Sequence, residues 1–124
     1  MVTAIAFSPD GQLLAISGYR EILLASPEGK LIARLPGKSM RLHSLSFTPD
    51  GKTLFVADIR ASKTYAFDIE ADGSLTNKRL HCELGSDGMT LDVEGNLYLT
   101  GRGVAVFDKA GKKIAQIDVP ERWT

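Results

Sequence analysis

Three times along the chain an apolar run meets an acidic turn and leaves it as a second apolar run: Phe7-Ser8-Pro9-Asp10-Gly11, Phe47-Thr48-Pro49-Asp50-Gly51 and Leu91-Asp92-Val93-Glu94-Gly95. The glycines fall at nearly even steps, 40 residues from Gly11 to Gly51 and 44 from Gly51 to Gly95. A second turn lies inside each unit, at Ser26-Pro27-Glu28-Gly29, Ala71-Asp72-Gly73-Ser74 and Lys109-Ala110-Gly111-Lys112. Glycine supplies the positive backbone angle that such hairpins need, so each unit reads as two successive hairpins. Repeats of this length built from four short strands are the blades of a propeller.

The spacing predicts strands near residues 2–7, 13–17, 22–26 and 30–35 in the first unit. The second unit offers 42–47, 53–57, 64–69 and 75–84, and the third 89–93, 97–100, 104–107 and 112–119. No segment carries a helical period. Alternation in Lys112-Lys113-Ile114-Ala115-Gln116-Ile117-Asp118 predicts a half-exposed outer strand. The unbroken runs Leu13-Leu14-Ala15-Ile16 and Ile22-Leu23-Leu24-Ala25 suit strands covered on both faces. The expectation is an all-β chain of three four-stranded antiparallel blades in one domain, with blades at about 1–37, 38–84 and 85–124.

Composition narrows the function classes. Fifteen basic residues balance fifteen acidic ones and are interspersed with them, so neither nucleic acid nor an anionic membrane is an expected partner. Cys82 is the sole cysteine, which fits a reducing compartment, with a secreted chain without bridges as the other option. The first residues enter a strand without a basic segment or a long apolar stretch, giving a cytoplasmic expectation.

The two ends of the chain carry different resemblances. Residues 2–15, followed by Leu31-Ile32-Ala33-Arg34-Leu35 and Leu42-His43-Ser44-Leu45-Ser46-Phe47, resemble WD40 repeats. They lack the Trp-Asp pair that closes the third strand, where Ala25-Ser26 stand, and the Gly-His pair that opens a repeat. From Lys52 onward, Leu54-Phe55-Val56-Ala57-Asp58, the stretch Tyr65 to Arg79 and Ser86-Asp87-Gly88-Met89 through Tyr98 resemble the SMP-30/gluconolactonase family of six-bladed, calcium-dependent propeller lactonases. A junction near Pro49-Asp50-Gly51 reads as an engineered chimera, with a divergent natural fragment as the other option.

The second resemblance implies a metal on the ring axis, held by a Glu, two Asn and an Asp that doubles as catalytic base. Asp87 matches that Asp, and His43 stands where one Asn would be; the Glu and the other Asn have no counterpart. Calcium takes six to eight oxygen ligands, so Asp87 and His43 make a weak site for it, better suited to a softer divalent ion. Bland roles compete: Asp87 as a turn cap, His43 as a pore-facing polar residue. Ser44 or Ser46 beside His43 does not make a nucleophile pair, because adjacent strand residues point to opposite faces. Gly101-Arg102-Gly103 reads as a hairpin and not a phosphate loop. Asp58, Asp68 and Asp108 are expected to accept turn amides, and His81-Cys82 lacks zinc spacing.

Edges supply the stronger constraint. Three blades form an open wedge whose first and last members each expose an apolar face, which isolated soluble chains seldom tolerate. Two copies related by a twofold axis would complete six blades. The expected function is therefore a structural, self-assembling half-propeller: a homodimer with no cofactor and no evolved catalysis, and Trp123 as an interface anchor. The alternatives are a metal-dependent lactone hydrolase using Asp87 and a WD40-like protein-interaction module.

Overall fold

The computed structural model describes residues 4–18, 21–36, 44–86 and 88–119 of the 124. All the regular structure in these residues is β, and the predicted all-β class holds. The first sheet contains β1 (Ala4–Phe7), β2 (Leu14–Gly18), β3 (Glu21–Ala25) and β4 (Leu31–Pro36); the second β5 (Ser44–Phe47), β6 (Thr53–Asp58), β7 (Lys63–Ile69) and β8 (Leu75–Cys82); the third β9 (Met89–Leu91), β10 (Leu97–Gly101), β11 (Gly103–Phe107) and β12 (Lys113–Ile117). Each is an antiparallel meander in chain order. All twelve predicted strands are present, with ends shifted by a few residues. Residues 2–3 and 42–43 of the predicted strands lie outside the described residues. No helix among the described residues is long and apolar enough to cross a membrane.

Six turns with one geometry close the hairpins at a common end of the blades. In each, a glycine N–H donates to the carbonyl three residues earlier, as in Gly11 to Ser8, Gly51 to Thr48 and Gly111 to Asp108, all at 2.9 Å. These glycines sit at φ between 71° and 91°, where a side chain is strained. Their acidic neighbours lock the loops. Asp50 accepts the Thr48 hydroxyl at 2.6 Å and the Lys52 N–H at 2.9 Å, and Asp10 does the same with Ser8 and Gln12. These contacts, the hydroxyl first, hold both carboxyls below the usual carboxylate range.

Blades pack through β1 against β5 and β5 against β9, which makes these the inner strands. Between the first and second blades lies a core of Ala15, Ile22, Leu24, Leu45, Phe47, Leu54, Val56 and Phe67, flanked by Ala33 and Leu35. Between the second and third lie Phe55, Ala66, Cys82, Leu97, Leu99, Ala105 and Phe107. Strand alternation assigns the faces: what points forward from one blade meets what points back from the next.

Two burial expectations are corrected. In β2 and β3 the residues Ala15, Ile22, Leu24 and Ala25 are buried, while Leu14, Ile16 and Leu23 are half-exposed because no blade among the described residues covers the first sheet's rear face. In β12 every residue is exposed and not just one face, because it is an edge strand whose forward side meets no further sheet among the described residues.

Candidate functional site

Asp87, His43 and Trp123, the predicted catalytic, metal and interface residues, lie outside the described residues. The described frame around Asp87 is well defined. Ser86 is almost fully buried; its hydroxyl reaches the Thr100 carbonyl at 2.8 Å and accepts the Gly88 N–H at 3.1 Å. Thr100 Oγ1 stands 3.0 Å from the same hydroxyl. The loop entering β9 is thereby tied to the end of β10. Gly85 brings this loop onto the second blade: a Cβ there would run into the Asp58 carbonyl and the Ile59 backbone.

Polar groups gather at this end of the blades, opposite the acidic turns. Thr64 donates to the Leu84 carbonyl at 2.7 Å. Buried Asp58 accepts the N–H groups of Arg60 and Ala61, both at 3.1 Å, as expected for an acid that closes a strand. At the acidic-turn end, Asp108 likewise accepts the N–H groups of Ala110 and Lys112. Asp68 departs from that expectation: its partners are the Asn77 amide at 3.0 Å and the Arg79 guanidinium at 2.9 Å, across the hairpin on β8. These contacts, the amide first, lower its pKa.

A calcium ion held as the family resemblance implies would need converging oxygen donors. No buried side-chain nitrogen or oxygen among the described residues lacks a hydrogen-bond partner, and no three His, Cys, Asp or Glu side chains among them cluster as a metal site. The described residues at this end offer mainly hydroxyls already committed to the backbone. Asp87 and His43, the ligands that the resemblance implies, lie outside the described residues.

The acidic-turn end holds a feature that the sequence reading passed over. A cleft of about 490 Å³ opens between the second and third blades, with Phe55 and Ala66 on its wall and Asp50, Arg79, His81, Glu94 and Lys109 around it. The His81 ring meets Phe55 edge-on at 4.7 Å between centroids, and its Nε2 lies 3.1 Å from the Asp108 carbonyl, which makes it the donor. Burial pushes its pKa below the ordinary histidine value, with Arg79 adding to the effect, while the Asp108 carbonyl opposes it. Burial raises the pKa of neighbouring Cys82. The available signal was positional: β8 carries Arg79 and Cys82 where β4 carries Ala33 and Leu35, with His81 as the extra residue at a register shift.

The chain is similar to known proteins along most of its length. A curated relative, telomerase Cajal body protein 1 of Mesocricetus auratus, is 30% identical over 122 residues, covering 90% of this chain and 22% of that protein. The solved structure of the calcium-binding protein regucalcin from Agrobacterium tumefaciens matches 96% of this chain and 45% of its own, with a TM-score of 0.78 at 23% identity. The WD40 repeats of RRP9 match 95% of this chain and 38% of their own, with a TM-score of 0.74 at 17% identity. The chain thus spans less than half the length of each. Both resemblances read from the sequence are present at the level of the fold. The family model of the SMP-30/gluconolactonase/LRE-like region matches residues 17–124, starting well before the Pro49-Asp50-Gly51 turn, and the chain belongs to that family.

Proposed function

We propose that the chain is a structural half-propeller that pairs with a second copy to complete a six-bladed ring, without catalytic activity of its own. The carrying observation is the rear face of the first blade, where Ile5 and Phe7 are 63% and 59% exposed. Their counterparts in the second blade, Leu45 and Phe47, are 6% and 7% exposed beneath a preceding sheet. An apolar sheet face of this kind is stable in water only when covered. Coverage of 45% of the regucalcin chain supports a contribution of about half a ring. We read the twin likeness to WD40 and SMP-30 propellers as the mark of a recombined, engineered chain.

Family membership favours a second reading, lactone hydrolysis at the polar end of the blades with Asp87 as base. One preparation tests both. Sedimentation equilibrium should give twice the chain mass at micromolar concentration, and lactone turnover with added calcium should stay at the buffer rate. A concentration-independent monomer overturns the ring. Turnover that disappears in Asp87→Asn installs the hydrolase in place of the inert scaffold.

A further inference from the structure

We infer that the surface closing the ring is the forward face of the third blade, and that it receives the rear face of a second copy's first blade through a junction whose outer-strand pairs repeat those between blades one and two. This inference rests on the self-assembly reading above.

Pairing registers carry it. On the forward face of the first blade, Ile22 stands opposite Leu35 and Leu24 opposite Ala33. On the forward face of the third, Val104 stands opposite Ile117 and Val106 opposite Ala115. Two matching cross-strand pairs thus recur, each with a branched residue on the third strand and the same small-and-large order on the fourth. The forward face of the second blade is different. There Thr64 stands opposite Cys82 and Ala66 opposite Arg79, in a shifted register.

The receiving faces match as well. The rear of the second blade presents Leu45, Phe47, Leu54 and Val56, paired Leu45 to Val56 and Phe47 to Leu54. The rear of the first presents Ile5, Phe7, Leu14 and Ile16, paired Ile5 to Ile16 and Phe7 to Leu14. A rear face like that of the second blade therefore stands at one end of the wedge. At the other end, on its third and fourth strands, stands a forward face like that of the first blade with no sheet against it among the described residues, although its second strand carries Tyr98 and Thr100 where the first blade has Ala15 and Ser17 and Val106 is only 4% exposed. Ile117 is 50% exposed there. Two copies satisfy both ends at once, since a twofold axis generates two equal junctions and leaves no face over. Stacking first blade on first blade would cover one face and leave the other wet.

The test uses two variants of the full chain, Ile5→Asp and Ile117→Asp, each at an exposed position. Circular dichroism checks that the sheets are retained, and Phe7→Asp replaces Ile5→Asp should the latter not fold. Sedimentation of each variant alone should show at least ten-fold weaker dimerisation than the parent chain, because both junctions then carry a buried carboxylate. A 1:1 mixture should recover part of the loss, because the mixed pair has one junction free of substitutions. If Ile5→Asp breaks the dimer while Ile117→Asp leaves it intact, or if mixing restores nothing, the inference is overturned and self-association survives. A monomeric parent chain overturns both.

Discussion

The two junctions between blades are built on one plan with different materials. From the first blade to the second, Ile22, Leu24, Ala33 and Leu35 lie on Leu45, Phe47, Leu54 and Val56. From the second to the third, the equivalent fourth-strand positions hold Arg79 and Cys82, with His81 inserted at a register shift, and a cleft of about 490 Å³ opens at the turn end. The propeller architecture tolerates this because each junction is a local contact between neighbours, so one can be loosened without disturbing the other. The first should be the stiffer of the two and the second the one that responds to solvent conditions.

The largest effects should come from the apolar junction. Leu24→Ala and Leu54→Ala each remove a side chain at most 1% exposed and should cost about 2–5 kcal/mol, since the lost transfer energy is joined by a cavity between two sheets. Chemical denaturation measures this. Equal or larger losses in Ala105→Gly and Phe107→Leu, on the far side of the looser junction, would break the comparison.

Next come the turn glycines, which report docking directly. Gly29, Gly73 and Gly111 occupy the same turn in successive blades with similar φ, 91°, 89° and 85°. A Cβ at Gly29 would meet nothing within 4 Å, at Gly73 it would meet Ile32 of the first blade, and at Gly111 the His81 backbone carbonyl of the second. Gly29→Ala should therefore cost only the backbone strain, about 1 kcal/mol. Gly111→Ala should cost more, because a carbonyl on the neighbouring sheet must move. Thermal melting of the two variants gives the difference, and equal melting points would show that the third blade's turn does not depend on the second.

The scaffold was legible in the sequence because its punctuation is chemical. Pro-Asp-Gly and Asp-Gly pairs fix hairpins through local hydrogen bonds, so strand number, strand order and turn positions could be read without tertiary information. Burial was less legible. The runs at Leu13–Ile16 and Ile22–Ala25 look buried on both faces, but whether Leu14, Ile16 and Leu23 meet a neighbour depends on what precedes the first blade in space and not on their own pattern. Asp68 was assigned to a turn because it follows an apolar run, yet Arg79 on the next strand captures it, a contact set by register. His81, beside Cys82, reads in the sequence only as a pair without zinc spacing, and its place with Arg79 on a cleft appears only when the second blade is laid on the third. At the polar end, Ser86 could have been found from its place two residues before Gly88, where a hydroxyl folds back onto the backbone.

The smallest predicted effect is also the most specific to the looser junction. The pKa of His81 is lowered in the folded chain by burial against Phe55, so the unfolded chain takes up a proton first as pH falls. The stability this residue contributes in its neutral form is complete above the ordinary histidine value of about 6.5. It declines as pH drops from there toward the folded value. The Asp10, Asp50, Asp72 and Asp92 carboxyls, all lowered by turn hydrogen bonds, lose their contribution only further down, in the carboxylate range. Denaturation midpoints between pH 7 and 5 should therefore fall in the parent chain and stay level in His81→Leu. At pH 7 the two chains should lie within about 1 kcal/mol, because the bond to the Asp108 carbonyl is exchanged for apolar contact with Phe55. A parallel decline in both would mean that the acid response lies elsewhere and that the two junctions share one sensitivity.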